Sequence, residues 1–568
     1  MVSKFINPYA FVNFKKRIER KSFADLEKEE TYSGNFEYEI ELKTPLIIPN
    51  TSSDEFNKDE NVSNSYGIYS YENLENKKSQ DNIYQPVIPG SEIRGCIRNV
   101  YEALTNSCYN FNKNNDLYFS ERVNPKGAYK PGILMKVGDD GEWQLYDADK
   151  KTIKDLGIED SDYRIKNFQL IMDYDNFEMF EKVVDIDTDE GPKDGYLTIG
   201  NEFGGKRKQA VSFFIKKGKP LLDIKKDDHN YKRLKAAIES FVDKDGYCTY
   251  KRYLDAIKDN KTITIYYRLV NGNYRFSPAQ IGRILYNTSL NEKVGDLGYC
   301  DTDKLCPACL LFGNINGDKA ISGRVRFSDA LTSEYDYSKS KFIYLISGSP
   351  KYSNKYFYGK YNNGEDWDNM SSIAGRKFYW HHKPNLDEIK LKVNYNENNK
   401  LKSRYYYIDN NNFNNKFVGK VYFEDLTKEE VNMLYKAISL IDDKHCHKLG
   451  HGKPFGFGSC NFTITSLKCE ELNLDDIKNN VSWTISETDR ELDYILDFNA
   501  LDSYVSQKIK VNYPYNEDYI KEEGFKWFVS NKKSNNPQTL KPLISGNNRV
   551  SPVLNGYETK NEKSKSHN

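Results

Sequence analysis

Two strand-and-helix pairs lie at opposite ends of this chain, and that separation restricts its fold more than any other feature. Near the start, Phe36, Tyr38, Ile40 and Leu42 alternate with Glu37, Glu39 and Glu41, the period-two pattern of a half-buried strand expected to run on toward Ile48. A helix is expected from Ser91, a residue suited to an N-cap, with Ile93, Ile97, Val100, Tyr101 and Leu104 on one face. Far downstream, Thr427 and Glu430 have capping-box spacing, and Val431, Leu434, Tyr435, Ile438 and Ile441 form the apolar stripe of a second helix. A strand is expected next, near Phe462 and Ile464.

Strand, helix, intervening strands, helix, strand is the order of an α+β fold with a ferredoxin-like or RRM-like core. Its halves read as 36–110 and 291–466, separated by an inserted region, 111–290, with extensions at 1–35 and 467–568. Within the insert, 209–215 and 263–268 look like strands and 231–241 like a helix. The polar stretch from Pro49 to about Gln80 reads as a long mobile loop, and Gly546–Asn568 as a disordered tail. No internal repeat is present.

Only 38% of the residues are hydrophobic and the mean hydropathy is −0.78, yet 44 Tyr and 30 Phe supply large side chains for a core. No window approaches ~20 apolar residues, and the N-terminus lacks the apolar run of a signal peptide. A cytoplasmic protein without a membrane partner is expected. The 83 basic residues balance 83 acidic ones, so any nucleic-acid site must be local.

Leu449–Gly458 is the strongest local candidate. Gly450, Gly452, Gly456 and Gly458 allow a close backbone approach to phosphates, Lys453 adds charge, and Phe455 and Phe457 offer faces for base stacking. The alternative is a tight structural turn. His451, in the same loop, has the chemistry of a general base.

A second signal is Cys300, Cys306 and Cys309, the last two in C-x2-C spacing. Such thiolates can chelate one structural zinc ion from a tight turn, closed by a fourth Cys or His. Cys108 is the preferred fourth ligand, with Cys248 and a residue of His445-Cys446-His447 as alternatives; reduced, packed cysteines are the competing reading. No thioredoxin-like βαβ pattern surrounds the C-x2-C, which argues against a redox pair.

Ile88-Pro-Gly-Ser-Glu-Ile-Arg-Gly95, Cys306-Pro-Ala-Cys-Leu-Leu-Phe-Gly313, Gly323-Arg-Val-Arg-Phe-Ser-Asp-Ala330 and Gly450-His-Gly-Lys-Pro-Phe-Gly-Phe-Gly458 together resemble the RAMP superfamily of CRISPR-associated proteins, in order as well as in wording. Ser349-Pro-Lys351 and Gly375–His382 add a likeness to a long, single-RAMP variety. The set is most similar to the backbone subunits of type III effector complexes. That resemblance implies a RAMP core that binds guide RNA along its backbone beside other effector subunits, while base pairing reads a complementary target RNA. The RNA contacts would be Ser91, Arg94, Arg98, Gly450, Gly452, Lys453, Phe455, Gly456, Phe457 and Gly458. For the two arginines a solvated helix face is the plain alternative.

The resemblance also implies a metal-dependent aspartate in the loop after the first strand. Asp54 is the candidate, placed to hold Mg²⁺ near a scissile phosphate, although the family's usual run before it is missing. The alternatives are processing of precursor RNA through His451, and a zinc-stabilised protein-interaction module without an RNA role.

Overall fold

The structure is a computed structural model that describes residues 4–14, 19–22, 25, 29–50, 64–71, 83–109, 118–122, 129–137, 142–152, 164–165, 168–169, 182–186, 193–199, 211–225, 228–239, 249–270, 272–278, 283–300, 303–316, 319–332, 335–336, 341–347, 353–362, 365–395, 402–411, 416–482, 487–514 and 525–557. The chain divides into two compact units, one made of 1–115 and 293–568, the other of 116–292.

In the first unit the principal elements are β1 (Thr31–Leu42), β2 (Ile83–Ile88), α1 (Gly90–Leu104), α2 (Pro307–Phe312), β3 (Val325–Phe327), β4 (Phe417–Thr427), α3 (Lys428–Ser439), β5 (His447–Lys448) and β6 (Ser459–Lys468). β1 is the centre of the sheet. It pairs antiparallel with β4 on one side (Phe36 opposite Val421) and with β6 on the other (Ile40 opposite Phe462). β3 and the short strand Ala330–Leu331 pair with β4, and Ala330–Leu331 leads on to β2.

The alternation read in β1 places Phe36, Tyr38, Ile40 and Leu42 in the core, where they meet Ile93, Ile97 and Val100 of α1 and Val431, Leu434 and Ile438 of α3. The glutamates face the other way and pair with lysines on neighbouring strands: Glu37 with Lys420 at 2.7 Å and Glu39 with Lys416 at 2.6 Å. Such exposed pairs are worth roughly 0–1 kcal/mol each, so the buried face holds the sheet. The strand starts at Thr31 and stops at Leu42, short of Ile48, because the Lys43 and Thr44 amides donate to the Ser459 carbonyl at 2.8 and 3.2 Å and turn the chain.

α3 has the capping box its sequence spells. The Thr427 hydroxyl accepts the Glu430 amide at 3.3 Å, and the Glu430 carboxylate accepts the Thr427 amide at 3.0 Å. Glu430 also holds the Arg324 guanidinium. Thr427→Ala is expected to destabilise the first unit by about 1 kcal/mol, read as a lower urea midpoint without a change in slope. The helix ends at Ser439, so Ile441 lies beyond it, at φ 68°, rather than in its stripe.

α1 corrects the N-cap expectation. The helix begins at Gly90, its N-cap is Pro89, and Ser91 is an exposed residue of the first turn. The Gly90 amide is satisfied by Asp329 Oδ1 at 2.7 Å, so a distant residue does what a capping serine would have done.

Gly546–Tyr557 is not a disordered tail. Val553–Asn555 pairs with Lys4–Ile6, which also takes Ile509–Val511 as a parallel neighbour. Leu554 is buried among Phe5, Phe357 and Trp527, and this apolar residue is what a reading of average polarity overlooked. Residues 558–568 lie outside the described residues, as does most of 49–80, where Pro49–Asn50, Asn64–Ile68 and Ser70–Tyr71 form short strands.

The second unit has its own seven-stranded antiparallel sheet, in the order Lys182–Ile186, Lys193–Ile199, Val211–Ile224, Glu142–Thr152, Lys130–Val137, Ile263–Val270, Asn273–Ser277. Leu234, Ile238, Tyr253 and Ile257 from its helices His229–Glu239 and Thr249–Lys258 share a core with Leu134, Leu145 and Ile265. Among the described residues no helix is long and apolar enough to cross a membrane.

Candidate functional site

Cys108 follows α1, Cys300 and Cys306 precede α2, and Cys309 lies within it; all four are buried and their sulfurs lie within 4.8 Å of one another. Four sulfurs at tetrahedral distance from one zinc-sized ion would be about 3.8 Å apart, so this spacing could hold a metal. Backbone amides point at the sulfurs: Cys108 N donates to Cys306 Sγ and Cys306 N to Cys300 Sγ, each at 3.3 Å. Arg20 Nε adds a third donor, to Cys300 Sγ at 3.3 Å. These donors favour thiolates, the form a metal binds.

The alternative ligands are engaged elsewhere. His445 contacts Asp442 and Asp493, His447 Nε2 bonds the Ile438 carbonyl at 2.9 Å, and the Cys446 thiol donates to Asn461 Oδ1 at 2.7 Å. Cys248 lies outside the described residues.

A buried charge network braces the cysteine loop. Glu102 accepts from Arg98 Nε and from Arg376 Nη1, each at 2.8 Å, and Arg376 Nη2 reaches the carbonyls of Ser107 and Cys108. Arg94 donates to the Phe312 carbonyl at the end of α2, and both Arg94 and Arg98 lie 5.6 Å from the Phe312 ring centre. Arg94 and Arg98 therefore tie α1 to the cysteine element, Arg94 through the Phe312 carbonyl and Arg98 through Glu102.

The glycine-rich loop is corrected in a similar way. Its four glycines all have positive φ, between 71° and 97°. A Cβ on Gly450 would lie 2.2 Å from the Ile47 carbonyl oxygen, and one on Gly458 would lie 1.8 Å from that of Leu449. Here the missing Cβ lets the loop close on itself and on the chain leaving β1. Six loop amides are already used: Gly450 donates to Glu92 Oε1 at 2.9 Å, His451 to Ile47 O and Gly458 to Pro45 O at 2.8 Å each, and Leu449, Phe455 and Gly456 donate to carbonyls within the loop.

Phe457 is fully buried with Ile47, Tyr407 and Leu345, so it has no face for a base. Phe455 is partly exposed and lines a cleft of about 860 Å³. His451 stacks on Tyr405 at 4.6 Å between ring centres, and burial lowers its pKa. Asp54 lies outside the described residues.

Lys453 does open onto a groove. It lies 3.6 Å from Glu92 and lines a space of about 420 Å³ together with Ser91, Gly95, Asn99, Lys377 and Lys448. Lys377 and Lys448 were not singled out from the sequence. Lys377 Nζ sits 4.0 Å from the Tyr9 ring centre and 4.8 Å from that of Tyr379, and burial pushes its pKa down to about 8. Lys448 Nζ donates to the Phe457 carbonyl at 3.1 Å, and burial pushes its pKa down to about 7. Lys377 lies between buried Arg376 and Phe378 on a strand paired with Tyr9–Val12, a placement that the sequence does not signal. Three lysines beside the first turns of α1 can draw in an anion and lend it their charge.

The family model of the RAMP superfamily matches residues 39–461. No curated protein matches the chain. Among solved structures, the crystal structure of Csc2 from Thermofilum pendens is similar at 14% identity, over 35% of this chain and 46% of that one, with a TM-score of 0.14. The chain thus spans less than half the length of Csc2.

Proposed function

The chain belongs to the RAMP superfamily, and from that premise we propose that it is a CRISPR-associated protein that holds a guide RNA by its backbone as a subunit of a type III effector complex. Its partners in this reading are the guide, a complementary target RNA and other effector subunits, in the cytoplasm. The observation that carries it is the groove of Lys377, Lys448 and Lys453 beside α1. Its charge is local in a chain of zero net charge, and such cations recognise phosphates without reading bases. The order β6, β1, β4, β3, with α1 and α3 packed on the sheet, supports a ferredoxin-like core. The all-sulfur donor set supports zinc, in a structural role.

The protein is to be purified from cells carrying its neighbouring genes and a CRISPR array, and its bound RNA sequenced. Guide RNAs of uniform length are the expected result; a preparation that contains the other subunits but no RNA overturns the reading. Lys453→Ala should then weaken RNA binding several-fold regardless of sequence and reduce the salt slope by about 1.

Affinity should also fall as pH rises. Lys448 and Lys377 lose their protons near 7 and 8, a bound phosphate favours their charged forms, and binding therefore takes up protons across that range. Isotherms that do not change with pH would remove these two lysines from the site.

Target cleavage is a separable proposal. It assigns Mg²⁺ binding to Asp54 and predicts metal-dependent cuts in guide-paired target that Asp54→Ala abolishes. Processing through His451 is less favoured, because its ring is stacked on Tyr405 and its basicity is lowered by burial.

A further inference from the structure

The tip of the glycine-rich loop stands between two cavities. Gly452 and Gly456, both at positive φ, bracket a 3-10 turn of Lys453, Pro454 and Phe455. The Phe455 amide closes the turn on the Gly452 carbonyl at 2.8 Å, and a Cβ on Gly456 would lie 2.8 Å from the His382 carbonyl oxygen, so the tip is seated on the chain around His382. Two residues of such a turn rise about 4 Å. Within that rise Lys453 lines the groove of about 420 Å³, while Pro454 and Phe455 line the cleft of about 860 Å³. His381, only 1% exposed, lines both. Tyr9 makes a second link, since its ring centre lies 6.1 Å from that of Tyr379 in the groove and 6.4 Å from that of Tyr513 in the cleft.

We propose that the cleft is a pocket for an unpaired base of the RNA strand whose phosphate the lysine groove holds. The two cavities differ in charge as the two ends of a nucleotide do. Among its described lining residues the groove sets Lys377, Lys448 and Lys453 against Glu92, whereas the cleft balances Lys383 and Lys510 with Glu388 and Asp502. Lys510 lies 2.9 Å from Glu388. Burial lowers the pKa of both His381 and His382, so neither adds charge near neutral pH.

The cleft walls suit a flat, uncharged ring. Phe455 and Phe498 are partly exposed and Tyr513 is 41% exposed, which offers aromatic faces for stacking. Asn499 and Gln507 also line the cleft and are exposed, and a side-chain amide can both donate to and accept from a base edge. The volume falls within the range of small-ligand sites, about 300–1,000 Å³. The inference rests on the reading of the chain as an RNA-binding protein and adds to it the place where a base goes.

The test compares an oligoadenylate with an abasic counterpart of equal length, each bound to the full chain in a fluorescence anisotropy assay. The proteins are the wild type, Phe455→Leu, Phe455→Tyr and Lys453→Ala. The wild type should bind oligoadenylate at least about fivefold more tightly than the abasic oligomer. Phe455→Leu should remove most of that preference and leave abasic binding unchanged, because leucine keeps an apolar contact with the core beneath the loop but lacks the ring. Phe455→Tyr should retain the preference. Lys453→Ala should weaken both oligomers several-fold.

Equal affinity of the wild type for the two oligomers overturns the pocket, and so does a preference that survives Phe455→Leu. Equal loss of both oligomers in Phe455→Leu overturns it as well, because the ring would then act on the fold of the loop rather than on a base. In these three cases binding that remains sensitive to Lys453→Ala leaves the RNA reading standing. If Lys453→Ala weakens neither oligomer, the phosphate is not in the groove and the shared nucleotide is overturned. A wild type that binds neither oligomer overturns the RNA reading and the pocket together.

Discussion

Treating the protein with a chelator, or replacing Cys306 with serine, is expected on the zinc proposal to lower the melting temperature by tens of degrees or to leave the first unit unfolded. Cys108, Cys300, Cys306 and Cys309 are all at 0–1% exposure, and their sulfurs converge from two distant stretches of chain. Structural zinc contributes roughly 10–16 kcal/mol to the folding of small zinc-finger peptides, which matches or exceeds the whole stability of a typical domain, about 5–15 kcal/mol. Serine keeps the size of cysteine but is a poor zinc ligand. Cys469→Ser, at a half-exposed cysteine outside the cluster, should change nothing and serves as the control. The measurement is elemental analysis for one zinc per chain, together with melting curves before and after chelation. Four reduced thiols, no bound metal and an unchanged melting temperature would return the cluster to packed cysteines.

Glu102→Leu is expected to destabilise the first unit by about 3–5 kcal/mol, because it strands a buried cation. The Arg376 side chain is only 4% exposed and Glu102 is its carboxylate partner at 2.8 Å. Arg376→Leu should lose less, since Glu102 keeps Arg98, but it frees the Ser107 and Cys108 carbonyls from their donor and so loosens the cysteine loop. The double replacement should recover part of the Glu102→Leu loss. Urea midpoints of the two single variants and the double variant measure the coupling; additive effects would show that the pair does not act as a unit.

Local signals in the sequence were legible. Thr427 and Glu430 form the box their spacing spells, the β1 alternation sorts into a buried and a charged face, and Cys108 meets the C-x2-C pair. Signals that depend on distant chain were not. Ser91 has the composition of an N-cap, but Asp329, far along the sequence, takes the Gly90 amide first. The glycines of 450–458 do need positive φ, yet what comes close to them is the protein's own backbone at Ile47 and Leu449. Phe455 and Phe457 look alike as letters, and only packing against Tyr407 and Leu345 tells that one is core. Lys377 and Lys448 become unusual through burial, which single residues among 83 basic ones do not announce.

The position of β1 has a consequence during synthesis. It leaves the ribosome well before the strands that flank it, since β4 and β6 are both made only after residue 416. At bacterial or eukaryotic rates of roughly 5–20 residues per second, the central strand waits tens of seconds with both edges unpaired. The 116–292 unit, with a core of its own, can fold within that interval. The nascent chain therefore carries an open strand edge behind an already folded unit, a state in which strand-to-strand aggregation competes with completion, and slower translation lengthens the exposure.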